Sequence, residues 1–158
     1  MRVAFIIPDK KMPWDSVHQG VGYVAAYVKK NFSLHECAVF RTYNTSDEEL
    51  IAFLEQKWDV IGLTLTNPVT DEVASIAEII KSIAPTKIVV GGAEVTTLEK
   101  EILEKIPFID YGVIGEGELT FCELLTCLKN NGDITKVRGL IYRREDNHIC
   151  YSLPSRAW

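Results

Sequence analysis

Apolar positions along this chain fall into two alternating patterns. Short, nearly continuous runs occur at RVAFII (2–7), CAVF (37–40), DVIGLTLT (59–66), TKIVV (86–90) and YGVI (111–114). They read as strands, and the unbroken apolar character of the third is that of a parallel strand buried on both faces. Between them the apolar residues recur at helical spacing. Val21, Val24, Ala25 and Val28 mark one face over residues 18–31, and Leu50, Phe53 and Leu54 follow a capping box formed by Ser46 and Glu49. Val73, Ile76, Ala77 and Ile80 form a third stripe, opened by Thr70-Asp71-Glu72, whose acidic residues suit a helix amino terminus. Thr96 and Glu99 fit a second capping box, with Leu98, Ile102 and Ile106 turned inward. Phe121, Leu124, Leu125 and Leu128 mark a fifth helix ending near Asn130-Asn131-Gly132.

Five strand–helix units in strict alternation predict an α/β fold. The expected form is a doubly wound, parallel five-stranded sheet, Rossmann-like or flavodoxin-like, in strand order 2-1-3-4-5. The tail differs in kind. VRGLIY (137–142), a polar turn at residues 144–147 and HICY (148–151) predict a carboxyl-terminal β-hairpin, and SLPSRAW reads as a linker. The division expected is a Rossmann-like domain over 1–134, followed by hairpin and linker over 135–158.

Composition narrows the function classes. The chain has 158 residues, 47% of them apolar, and a net charge of −5, which argues against a basic nucleic-acid or membrane-surface binder. No apolar run is long enough to span a bilayer, and MRVAFIIP is too short for a signal peptide, so a cytoplasmic protein is expected. Cys37, Cys122, Cys127 and Cys150 form no C-x-x-C pair and are expected as buried free thiols.

In such sheets ligands bind outside the carboxyl ends of the strands. Four loops lie there: 8–17, 64–69, 91–96 and 115–120. They lack G-x-G-x-x-G after the first strand and any phosphate-binding P-loop. A phosphoacceptor receiver is also a poor fit, because Thr64 and Thr66 stand where an Asp is needed and Glu116 where a Lys is needed. The loops offer small residues and hydroxyls instead. Gly91-Gly92 lets a backbone approach a flat ligand closely, Thr64, Thr66 and Asn67 place polar groups at the end of the third strand, and Gly115-Glu116-Gly117-Glu118 precedes the fifth helix.

VVGGAEVT (89–96) and IDYGVIGEGELTFCELL (109–125) closely resemble the cobalamin-binding domain that lies amino-terminal to the catalytic domain in many radical S-adenosylmethionine enzymes. QGVGYVAAYVKKN (19–31), WDVIGLTLT (58–66) and VRGLIYRRED (137–146) agree with it, so the resemblance spans nearly the whole chain. It implies a corrin ring across the carboxyl edge of the sheet, with a nucleotide tail entering a slot between the third and fourth strands. Thr64, Thr66 and Asn67 would line one side of that slot, Gly91, Gly92, Ala93 and Glu94 the other, and Gly115, Glu116, Gly117 and Glu118 would border the tail. A radical S-adenosylmethionine catalytic domain, in cis or in trans, would be the partner.

Two departures qualify the resemblance. Cobalt-ligating relatives carry D-x-H-x-x-G; here DSVHQG places His18 three after Asp15 and two before Gly20, so His18 is expected as a helix-start residue and the cobalamin as base-off without a histidine ligand. His35 and His148 are expected on the surface. The C-x-x-x-C-x-x-C motif of an iron–sulfur cluster is absent, as is any Ser-His-Asp, Cys-His or paired-carboxylate pattern. Cluster and S-adenosylmethionine are therefore expected only in a separate downstream domain, and no catalytic residue is assigned in this chain. The rival readings are a flavodoxin-like flavin carrier, in which Trp14 would stack on the ring, and an interaction domain that kept the fold without a ligand.

Overall fold

The computed structural model describes residues 1–11 and 18–155. Strand β1 (Arg2–Ile7) leads through α1 (Gln19–Asn31) to β2 (Glu36–Arg41) and α2 (Asp47–Leu54). Strand β3 (Val60–Thr64) is followed by a single 3-10 turn (Asn67–Val69), α3 (Thr70–Ile83) and β4 (Lys87–Gly91). Two short helices, α4 (Ala93–Leu98) and α5 (Lys100–Lys105), precede β5 (Tyr111–Val113) and α6 (Gly117–Lys129). A further 3-10 turn (Ile134–Lys136) leads to the hairpin β6 (Leu140–Arg143) and β7 (Ile149–Tyr151).

The sheet runs in the order β2-β1-β3-β4-β5-β6-β7. Its first five strands are parallel and take the expected 2-1-3-4-5 order, with Val3 beside Cys37 and Val60, Thr64 beside Gly91, and Val90 beside Gly112. The hairpin continues the same sheet: β6 pairs antiparallel with β5, and β7 with β6, giving seven strands where the apolar pattern led one to expect five and a hairpin apart.

Alternation along the strands sorts side chains into two cores. Ile6, Ile61, Leu63, Ile88 and Val90 face α2, α3, α4 and α5, and meet Leu54, Val73, Ile80, Val95 and Leu103. Val3, Phe5, Val60, Val89 and Val113 face α1 and α6, and meet Ala25, Val28, Phe121 and Leu125. Each fully buried Leu or Ile contributes roughly 1.5–3 kcal/mol relative to exposure, and the layer under α3 and α5 holds most of the largest of them.

The Ser46–Glu49 capping box is present in full at the start of α2. The second expected box is not. Thr96 lies inside α4, which starts directly after Gly92, and Glu99 is the break between α4 and α5, at φ 48°. Gly92 explains the early start, because its φ of 118° turns the chain from β4 straight into a helix. The hydroxyl of Tyr151 donates to the Glu99 carboxylate at 2.7 Å, bracing that break from the hairpin.

Among the described residues no helix is long and apolar enough to cross a membrane.

Candidate functional site

Strands β3 and β4 each place a glycine on the α1/α6 side of the sheet, and this opens a groove. In β3 the side positions facing α1 and α6 are Val60, Gly62 and Thr64; in β4 they are Val89 and Gly91, in register with Gly62 and Thr64. A Cβ at Gly62 would come within 2.8 Å of Phe5 Cδ1, so the missing side chain is what lets the Phe5 ring lie across β3. The Phe5 ring in turn meets Phe121, with centroids 5.1 Å apart and planes tilted by 40°. Phe5, Gly62, Val89 and Phe121 form an apolar floor.

The upper layer has more room. A Cβ at Gly91 would lie 3.9 Å from the Cβ of Val113, an ordinary contact, and would project into the groove. At Gly92 the situation is opposite: an added Cβ would be 2.7 Å from the carbonyl oxygen of Leu65, in a backbone conformation that side chains rarely take. The Leu65 N–H donates to the Gly91 carbonyl at 2.8 Å, so β3 and β4 stay bonded to their ends and the groove lies over the sheet face. On the far wall, a Cβ at Gly117 would be 3.1 Å from Val24 Cγ2, which sets how closely the first turn of α6 approaches α1.

The groove has a volume of about 570 Å³, within the range of small-molecule and cofactor sites. Of the residues expected at the site, Thr64, Gly91, Gly92, Ala93, Gly115, Glu116, Gly117 and Glu118 line it together. Thr66 and Glu94 do not; the Thr66 carbonyl accepts from the Val69 N–H and closes the 3-10 turn. Asn67 contributes backbone to that turn, and its side chain lies outside the described structure. Sequence reasoning missed the floor and the α1 wall of Gly20, Val21, Tyr23 and Val24. Phe5, Val89 and Phe121 look like any core residue; the one readable signal was Gly62, a glycine inside an otherwise apolar strand. It also missed Thr96 and Thr97, which stand on the rim. No Lys, Arg or His lines the groove among the described residues, and Glu116 and Glu118 make its rim acidic.

A second polar cluster lies at the carboxyl ends of β1 and β2. Asp9 is fully buried. Its Oδ2 accepts from Arg41 Nε at 2.9 Å and also from Arg41 Nη2, while Oδ1 accepts from the Tyr43 N–H at 2.8 Å. The Asp9 N–H donates to Thr42 Oγ1 at 2.8 Å, and Thr42 donates to Glu72. His18 stands immediately before α1, as expected, with its Nε2 3.6 Å from Asp9 Oδ2. His35 and His148 are exposed, also as expected. Trp14 and Asp15 lie outside the described residues. The four cysteines are free but half-buried rather than buried, and desolvation pushes the thiols of Cys37, Cys122 and Cys127 up.

Comparison with known proteins places these features in context. The family model described as the B12 binding domain matches residues 12–125. Over 68 residues the chain is 44% identical to an anaerobic magnesium-protoporphyrin IX monomethyl ester cyclase of Synechocystis, covering 43% of this chain and 13% of that protein. Among solved structures, the radical S-adenosylmethionine methyltransferase TsrM of Kitasatospora setae, with cobalamin and a [4Fe-4S] cluster bound, superposes with a TM-score of 0.85 at 21% identity, covering 99% of this chain and 30% of that one. The cobalamin-dependent radical enzyme OxsB, with aqua-cobalamin and S-adenosylmethionine bound, superposes with a TM-score of 0.81 at 18% identity, covering 99% and 23%. At these identities the two structures establish a shared fold. The chain thus spans less than a third of the length of each of these proteins. These matches do not support the flavin reading.

Proposed function

This chain belongs to the B12-binding domain family, and on that premise we propose that it holds cobalamin over the carboxyl edge of its sheet and presents it to a radical S-adenosylmethionine catalytic domain. The observation that carries the proposal is the groove over β3 and β4, rimmed by two glycine loops. The residues present fit the group. Gly91 leaves open the space that a Cβ would enter, Gly115 at φ 75° has nothing within 4 Å of where its Cβ would stand, and the lower part of the groove is apolar. Thr64, Gly91, Gly92 and Ala93 would flank the nucleotide tail, with Thr66, Asn67 and Glu94 at the outer rim beyond it. Gly115, Glu116, Gly117 and Glu118 would border the sugar-phosphate, where the first turn of α6 offers backbone N–H groups.

When bound, cobalamin supplies a cobalt centre that can carry a methyl group or an electron. The residues of this chain bind it, orient it and shield its tail from water. The cofactor would be taken base-off with no histidine on cobalt, a reading supported by His18, which lies against the Asp9–Arg41 cluster and does not line the groove. The iron–sulfur cluster and S-adenosylmethionine belong to the catalytic domain, in cis or in trans. The small share of its longer relatives that this chain spans supports that reading.

The test is to incubate the purified chain with hydroxocobalamin, desalt it and record the visible spectrum. Retained corrin bands at one equivalent are expected. A protein that emerges with flavin bands, or colourless, would overturn the proposal in favour of a flavin carrier or a ligand-free interaction domain.

A further inference from the structure

The groove is polar at its mouth and apolar at its bottom, and the boundary between the two is sharp. Of the polar side chains lining it, Thr64 is the one carried by a strand of the sheet, in register with Gly91. One layer below lie Gly62 and Val89, again in register, with the Phe5 and Phe121 rings beside them. Two residues along a strand span about 6.6 Å, more than a hydrogen bond can reach. The backbone gives no help, because β3 is paired with β4 from Val60 to Thr64 and with β1 through Phe5 and Gly62. Thr96, on the rim, already uses its hydroxyl on Gly115 and Gly92. A heteroatom carried down among Phe5, Gly62, Val89 and Phe121 therefore meets no polar side chain from these four residues.

We propose that this floor makes the site selective for corrinoids whose lower base is dimethylbenzimidazole, and that it discriminates against those whose lower base is adenine. The proposal rests on the cobalamin reading above and adds to it. The benzimidazole presents two methyl groups on its outer edge, which a floor of two aromatic rings and a valine accepts. Adenine presents ring nitrogens and an exocyclic amine on the same edge. Buried there, these groups lose their water and gain no partner, a loss that outweighs the similar stacking of the two rings.

The experiment compares three probes on the same protein: hydroxocobalamin, its adenine-base analogue, and cobinamide, which has the corrin but no nucleotide tail. Dissociation constants are read from changes in the visible spectrum. The adenine corrinoid is expected to bind about tenfold or more weakly than hydroxocobalamin, since one buried unpaired polar group costs on that order. Val89→Thr, nearly isosteric, places a hydroxyl on the floor and should narrow the ratio between the two tailed corrinoids severalfold. General misfolding of that variant would weaken all three probes together, whereas a floor effect moves the ratio. Equal affinity of the wild-type chain for the two tailed corrinoids overturns the proposal and leaves the cobalamin assignment standing. Binding of none of the three overturns both.

Discussion

The backbone N–H of Gly115 donates to the side-chain oxygen of Thr96 at 3.0 Å, tying the loop after β5 to helix α4 across the mouth of the groove. The two residues are 19 apart in sequence, and their contact fixes one glycine loop of the site relative to the other. Thr96→Val keeps the shape and removes the acceptor. Corrinoid affinity should fall about two- to tenfold, the range of one ordinary hydrogen bond. Thermal stability should barely move, because Thr96 is exposed. Parallel titration and melting of the variant check both halves.

Gly91 and Gly92 are adjacent and should behave differently. Gly91→Val has room for its Cβ and directs its methyl groups into the groove. It should fold normally and lose roughly tenfold or more in corrinoid affinity, as overpacking does. Gly92→Ala should instead destabilise the chain by about 1–3 kcal/mol, because the residue sits at φ 118° and its Cβ would strike the Leu65 carbonyl. Urea melts beside binding isotherms separate the two effects; a Gly91→Val variant that binds as tightly as wild type would show that the groove does not hold the tail.

Asp9→Asn should cost about 1–3 kcal/mol in urea unfolding. It weakens two bonds from Arg41 and places an amide where the Arg41 guanidinium and the Tyr43 N–H both need an acceptor. His18→Ala alters a residue that stands 3.6 Å from Asp9 and does not line the groove, and it should leave the visible and electron paramagnetic resonance spectra of bound cobalamin unchanged. Nitrogen hyperfine splitting that disappears in His18→Ala would place that imidazole on cobalt.

Alkaline pH should loosen the fold. Burial first, then the charge of Asp110, pushes the Tyr111 hydroxyl up to about 12, above an unfolded value near 10. A raised folded value means that the contribution is complete below pH ~10 and is lost as pH climbs toward ~12, because only the unfolded chain ionises easily there. Burial also raises Tyr142 and three of the cysteines, which act in the same direction. Tyr111→Phe should therefore flatten, without abolishing, the decline in unfolding free energy measured between pH 10 and 12.

The elements most legible in the sequence were those whose signal is local. Parallel strands buried on both faces leave apolar runs, and β1, β3 and β4 fall within a residue or two of where those runs predict. The pairing of β6 with β5 was not legible, since Val113 meeting Leu140 is a contact between distant segments that no period records. The break at Glu99 was hidden too: a non-glycine residue at φ 48° is held there by tertiary contacts such as Tyr151, while Thr96 and Glu99 locally mimic a cap. At the site, glycines were readable because their absence of side chain is a local fact. Phe5, Val89 and Phe121 were not, because an apolar side chain facing a groove and one facing a core are written with the same residues.

The two cores do not share the burden equally. The groove is cut into the layer between the sheet and α1/α6, while the layer under α3 and α5 is filled by the chain itself. An occupant of the groove would supply the missing mass of the first layer, so loading and tightening of that layer are one event. Amide protons of α1 and α6 should then exchange faster than those of α3 in the empty protein and slow selectively on loading. At a hundredfold excess over the dissociation constant a ligand confined to the native state adds about 2.7 kcal/mol to the opening free energy of whatever unit must unfold to release it, and that protection would be concentrated on one side of the sheet.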